Sequence, residues 1–176
     1  MYQPFDAHFR ERGYSMIELM TVMVIIAIMT AFAVSNYHEG NRQVTLDVQA
    51  NQLAQDLRKM QEWALSAHQV NGASLAGYGI YIVQGGSSYI LYADSIASNN
   101  ARYDAGTDVV LQTVDLNNNL EISQSSPTPV SVNYIPPDPV TKINDGLDTA
   151  MFEFRVKNTS MTRKVYVNRA GLIYAK

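Results

Sequence analysis

The chain has 176 residues, 47% of them hydrophobic and 16% charged, a balance that supports a packed fold and excludes disorder as the main state. Thirteen Lys and Arg against sixteen Asp and Glu give a formal charge of −3, so attraction to nucleic acid or anionic lipid cannot be global and any such contact must be local. Cysteine is absent, which removes disulfides, thiolate metal sites and thiol nucleophiles together.

The first element is apolar. Residues 19–34 read LMTVMVIIAIMTAFAV, a run whose only polar members are Thr21 and Thr30. As a helix this run is about 24 Å long, and begun at Tyr14 it reaches about 31 Å, close to the hydrocarbon thickness of a bilayer. A secretory signal core and a buried helix of a globular domain are the alternatives. A signal core is normally about 7–15 residues long and meets small residues at a cleavage site. Here the run continues into Ser35, Asn36 and Tyr37 and then into a long helical pattern. A buried helix would need walls on every side. Length and polarity favour a membrane span.

Glu18 sits inside this apolar context. Placing an ionised side chain in a bilayer costs about 3 kcal/mol on insertion scales, so the carboxylate calls for a cation. No Lys or Arg lies between Tyr14 and Asn41. The nearest sources are Arg12 or, if the chain is cut before Tyr14, a new α-amino group four residues from Glu18, in the same chain or in a neighbouring copy.

The segment Arg12, Gly13, Tyr14, Ser15, Met16, Ile17, Glu18, Leu19, followed by the apolar run, resembles the N-terminal signature of type IV pilins and type II secretion pseudopilins. The resemblance implies that residues 1–13 are a leader removed by a prepilin peptidase after Gly13. It implies that Tyr14 is the methylated mature N-terminus and that Glu18 pairs with a neighbour's amine during filament assembly. It also implies a single pass through the cytoplasmic membrane with the head outside the cytoplasm, and then residence in a pilus or pseudopilus. The implied partners are other pilin or pseudopilin subunits, the peptidase, an inner-membrane assembly platform, and membrane lipid before assembly. Tyr14 stands where Phe is commoner. Ala27 and Ser35 stand where many major pilins carry a helix-bending Gly and Pro, which removes the usual cause of a kink and favours a minor subunit over the bulk one. The leader's Arg10 and Arg12 are offset by Asp6 and Glu11.

Beyond the span of residues 14–35, an amphipathic helix is expected over 36–72. Leu46, Leu53, Leu57, Met60, Ala64 and Ala67 recur at helical spacing, with Gln49, Gln52, Asp56, Lys59 and Glu62 on other faces. Gly40 and Asn41 are a weak point, and Asn71 with Gly72 is the expected stop. A helix continuous from Tyr14 to Ala67 would be about 80 Å long, too long for one compact domain. Trp63 and the Leu53 stripe would meet a sheet.

Residues 73–176 read as a β-rich head. Segments 79–83 and 88–93 are joined by Gln84, Gly85, Gly86 and Ser87, a hairpin signal. Further strands are expected at 108–114, 130–134, 150–156, 163–168 and 172–174, the last two joined by Arg169, Ala170 and Gly171. Pro127, Pro129, Pro136, Pro137 and Pro139 make 123–148 an irregular stretch. Short turns imply antiparallel pairing. The fold class is therefore α+β, a long N-terminal helix with a transmembrane first half, packed on an antiparallel sheet. In outline, residues 53–58, the Gly-Tyr-Gly strand entry at 77–79 and the closing strand pair resemble minor pseudopilins of the H-subunit kind.

Chemistry has few carriers. His8 falls in the leader, His38 and His68 on the helix, and no nucleophile or carboxylate pair is spaced to join them, so no enzyme activity is expected. Gly85 and Gly86 sit in a hairpin and form no phosphate loop. Residues 94–108 offer Asp94, Asn99, Asn100, Asp104 and Asp108 as oxygen ligands for Ca²⁺, the one candidate cofactor. Their spacing matches no EF-hand, and the other reading is a plain inter-strand turn.

Charge is uneven. Residues 67–149 hold eight acids and two bases, whereas 150–176 hold Glu153 against Arg155, Lys157, Arg163, Lys164, Arg169 and Lys176. Strand parity would group Arg155 with Lys157, and Arg163 with Arg169 if the strand reaches that far. Two readings follow. One is a solvated strand pair meeting acidic neighbours in a filament; the other is a DNA-binding minor pilin for DNA uptake, as the basic C-terminal regions of some pilins imply.

Overall fold

The computed structural model of the chain describes residues 13–176 except 71, 73, 74, 139 and 145. The chain divides into two compact units, Met1–Asn41 and Arg42–Lys176, and the helix α1 (Met16–Leu65) contributes to both. The expected leader up to residue 12 lies outside the described residues.

In the first unit α1 has no proline and no glycine before Gly40, so nothing breaks its hydrogen-bond ladder. The hydroxyls of Thr21 and Thr30 donate to the carbonyls of Glu18, at 2.9 Å, and Ile26, at 2.7 Å. The only two polar side chains of the apolar run are thereby satisfied within the helix. At Gly40 and Asn41 the helix continues without interruption.

In the second unit, Leu46, Ala50, Leu53, Leu57, Met60 and Ala64 recur at alternating steps of four and three, and all are buried. Gln49, expected on another face, is buried too, and its amide donates to the Gln52 side-chain oxygen at 3.3 Å. The helix stops earlier than Asn71 and Gly72. Ala67 takes a left-handed φ of 45°, its N–H bonds the Ala64 carbonyl, and the His68 N–H bonds the Trp63 carbonyl. Those two bonds form a Schellman cap, and the Trp63 ring stacks on the His68 ring, 4.5 Å between centroids. Ala67 is accordingly exposed and outside the apolar stripe, and His68 is past the helix rather than on it.

The strands are β1 (Gly77–Ile82), β2 (Ser88–Asp94), β3 (Val109–Asp115), β4 (Leu120–Ser126), β5 (Val130–Ile135), β6 (Val140–Ile143), β7 (Thr149–Val156), β8 (Thr162–Asn168) and β9 (Ile173–Ala175). They form two antiparallel sheets, β3-β2-β1-β5-β6 and β4-β7-β8-β9, where the sequence suggests one. The stretch 123–148, expected to be irregular around the strand at 130–134, holds that strand as β5 and, beyond it, most of β4 and all of β6. Pro127 and Pro129 lie between β4 and β5, and Pro136 and Pro137 follow β5, so these prolines mark connections and leave the ladders intact. Pro139 lies outside the described residues.

Inner positions alternate as the pleat requires: Ala150, Phe152, Phe154 and Val156 on β7, Val165 and Val167 on β8. They join the α1 stripe and Tyr78, Ile80, Tyr89, Leu91, Val132 and Tyr134 of the larger sheet in one core. The long helix against antiparallel sheets is a pilin-like α+β arrangement.

Candidate assembly and contact sites

The N-terminal site begins outside the helix. Gly13, Tyr14 and Ser15 have no regular structure and are exposed, Tyr14 at 84%. Ser15 caps α1: its Oγ accepts from the Glu18 N–H at 3.3 Å, and its carbonyl accepts from the N–H groups of Glu18, at 3.1 Å, and Leu19, at 3.2 Å. Ser15 and Glu18 thus have the spacing of a capping box, which was legible as Ser-x-x-Glu before the apolar run. Glu18 lies in the first helical turn, where the helix dipole favours a negative charge. Every described side chain from 13 to 34 is exposed, and the helix is long and apolar enough to cross a membrane by length and composition.

The loop between β2 and β3 is built on two buried acids. Asp94 accepts from the Ala101 N–H at 2.9 Å, the Ser98 hydroxyl at 2.9 Å and the Asn133 amide at 3.3 Å. Asp108 accepts from the Ser95 N–H at 3.0 Å, the Ser98 hydroxyl at 2.7 Å and the Asp104 N–H at 2.7 Å. Asp104 in turn accepts from Asn100 at 2.5 Å, and Asn99 holds a left-handed φ of 39°. Burial raises the Asp94 carboxyl above its ordinary range, opposed by its bonds from Ser98 and Ala101. Among the described residues no three His, Asp or Glu side chains form a group able to hold a metal ion. Ser98 links Asp94 with Asp108, and Asp104 is tied to Asp108 and Asn100, so protein donors already sit on these carboxylates.

The basic residues of the last strands do not form one patch. Arg155 and Lys164 share the outer face of the smaller sheet. Arg155 makes a two-donor contact with Glu121, at 2.9 and 2.5 Å, and Lys164 lies 3.1 Å from Glu153. Lys157, just past β7, donates to the Asn118 carbonyl at 2.9 Å. Arg155 and Lys157 do line one open groove, together with Glu121 and Glu153. Arg163 pairs with Phe154 across the strands, on the inner face, and its guanidinium meets Asp47 of α1. Arg169 lies in the β8–β9 turn, 3.9 Å from Asp148. Arg163 and Arg169 therefore do not group as parity suggested, because β8 ends at Asn168. Glu153 faces Lys164 across the β7–β8 hairpin, whereas Glu121 and Asp47 come from distant parts of the chain that no local signal announces.

Compared with known proteins, residues 8–34 match the family described as the prokaryotic N-terminal methylation motif. No curated protein and no solved structure matches the chain.

Proposed function

We propose that this chain, whose residues 8–34 match the prokaryotic N-terminal methylation motif, is a minor pilin or pseudopilin, a structural subunit of a filament. The observation that carries the reading is the motif on an exposed apolar helix that bears one carboxylate, Glu18, in its first turn. Cleavage after Gly13 by a prepilin peptidase acts on exposed, non-helical backbone, which a protease can bind extended. It also leaves the Ser15 cap in the mature chain.

The new amine at Tyr14 is a cation at a helix N-terminus, where the dipole disfavours it. A carboxylate offsets that charge, and methylation of the amine preserves the charge. In a bilayer Glu18 lacks a cationic neighbour of its own beyond that terminus. In a bundle of such helices it meets the terminus of the next subunit, and the exposed apolar surface of residues 16–34 is covered by other helices. Assembly is thus favoured by packing and by charge compensation in a medium of low dielectric constant.

The reading carries the inner membrane as the site before assembly, with the head outside the cytoplasm, and other subunits, the peptidase and an assembly platform as partners. Uptake of DNA through Arg155, Lys157, Arg163, Lys164 and Arg169 gains no support from the geometry, since each cation has an acid or a carbonyl beside it and two sheet faces divide them. The testing experiment is intact-mass analysis of the membrane-extracted protein. The expected mass lacks residues 1–13 and carries one added methyl group; an uncut chain would remove the assignment.

A further inference from the structure

Four strand edges bound the two sheets, and they are not equally protected. The Ile173 carbonyl on β9 accepts from Arg58 of α1 at 3.4 Å, and β9 has only three residues. The edge of β4 is met by the β1–β2 turn: Gly85 N–H donates to the Ile122 carbonyl at 2.9 Å, and Ile122 N–H donates to Gly86 at 3.3 Å. The edge strand β6 has four residues and closes on itself through the Ile143–Leu147 bridge.

The fourth edge, β3, is different. It has seven residues, Val-Val-Leu-Gln-Thr-Val-Asp, with no Lys and no Pro, and among the described residues no backbone hydrogen bond reaches its outer side. Leu116 N–H donates to the Ser87 carbonyl of the neighbouring β2 side at 2.8 Å. Alternation along an antiparallel ladder then turns the backbone groups of Thr113 and Asp115 outward. The bulge opposite Leu91 and Tyr92 leaves the ladder regular from Gln112 to Asp115. Val109 and Val110 are 37% and 47% exposed. Sheets in natural proteins blunt such edges with lysine, proline, shortness or a bulge; β3 has only the bulge, near its start, which leaves the edge from Gln112 to Asp115 open.

We propose that β3 is a docking edge for an extended strand of another protein chain, apolar in its middle and carrying Lys or Arg at its ends. Added as a sixth strand, it would pair with the outward groups of Thr113 and Asp115 and cover Val109 and Val110. Its charge follows from what flanks β3. Exposed Asp115 ends the strand and half-buried Asp104 lies in the loop before it, beside the buried Asp108, within a stretch of eight acids and two bases over residues 67–149. The same acids disfavour a second copy of β3 as occupant. Antiparallel pairing about Gln112 would set Asp115 opposite Val109, next to Asp108, and like charges across strands repel. The inference rests on the head alone and does not depend on the filament reading.

The test uses the full chain in detergent micelles and amide hydrogen exchange, with the capped peptide Lys-Val-Thr-Val-Thr-Val-Lys as probe and its Glu-ended counterpart as control. The Lys-ended peptide should slow exchange at Thr113 and Asp115 by about tenfold or more, and the Glu-ended one should not. Thr113→Pro removes an outward N–H while sparing the bonds to β2, and should abolish protection at Asp115. If that variant melts early, Val110→Lys replaces it with the same expectation. Unchanged β3 amides, equal protection by both peptides, persistence of protection in the variants, or protection that rises with protein concentration without peptide would each overturn the proposal.

Discussion

Residues 13–34 and residues 42–176 treat their apolar side chains in opposite ways. In the first region Met16, Met29 and Phe32 are 84%, 67% and 70% exposed, although nearly every neighbour is apolar. In the second, Leu53, Leu57, Phe152 and Phe154 are wholly buried, and Gln55, Asp56 and Glu153 between them are polar. Periodicity separates the two. A uniformly apolar helix cannot hide in its own chain and must be covered by lipid or by other helices. A helix with a 3-4 stripe and strands with a period of two supply each other's cover.

The largest effect that would break this comparison lies at Glu18. Glu18→Ala removes the one carboxylate of the apolar region and touches none of the core residues. Incorporation into filaments, read from sheared surface fractions, should be lost. The melting temperature of the detergent-solubilised chain should stay unchanged, because no described contact of the head involves Glu18. Undiminished incorporation would mean that the exposed apolar surface suffices for assembly and that Glu18 serves only to cap its own helix.

A change in the second region should have the reverse pattern. Leu57 is fully buried in the stripe that meets both sheets. Leu57→Ala leaves a cavity and should lower stability by about 2–5 kcal/mol. That loss should appear as an earlier thermal transition in near-UV circular dichroism, while peptidase processing of the N-terminus continues.

The same contrast explains how much was legible from the sequence. The membrane-length run and Glu18 were plain because both signals are local: composition in one case, an isolated acid in the other. The hairpins at Gly85 and Gly171 were plain for the same reason, since both glycines take positive φ in tight turns. The helix end was misplaced because a left-handed residue is expected to be glycine and here is Ala67, held by the Trp63–His68 stack. The second sheet was missed because β4 is polar, with Glu121, Ser123, Gln124, Ser125 and Ser126 around a bulge. Its place is fixed by pairing with β7, about thirty residues away. Of the expected basic groups, Arg155 and Lys157 line one groove, while Arg163 and Arg169 stay apart because β8 ends at Asn168; parity predicts a face but not the partner across it. Arg163 finds Asp47 through tertiary packing, and Lys164 finds Glu153 through the register of β7 with β8.

That last pair gives the smallest predicted effect. Glu153 accepts from the Ser123 hydroxyl at 2.6 Å and lies 3.1 Å from Lys164, with only 15% of its side chain exposed. The Ser123 bond above all holds its carboxyl below the ordinary carboxylate range; burial opposes it, and Lys164 and Arg155 add to the lowering. A carboxylate whose folded pKa is depressed stabilises the fold above its unfolded value, and that contribution is lost as pH falls through the folded value. Glu153→Gln keeps the shape and removes the titration. At neutral pH it should cost about 1 kcal/mol, equivalent to about 2–4 °C in melting temperature. Below the ordinary carboxylate range the two melting curves should converge. A gap between them that stays constant down to the acid limit would show that Glu153 acts by its shape alone. The pairing of Glu153 with Lys164 would then owe nothing to its charge.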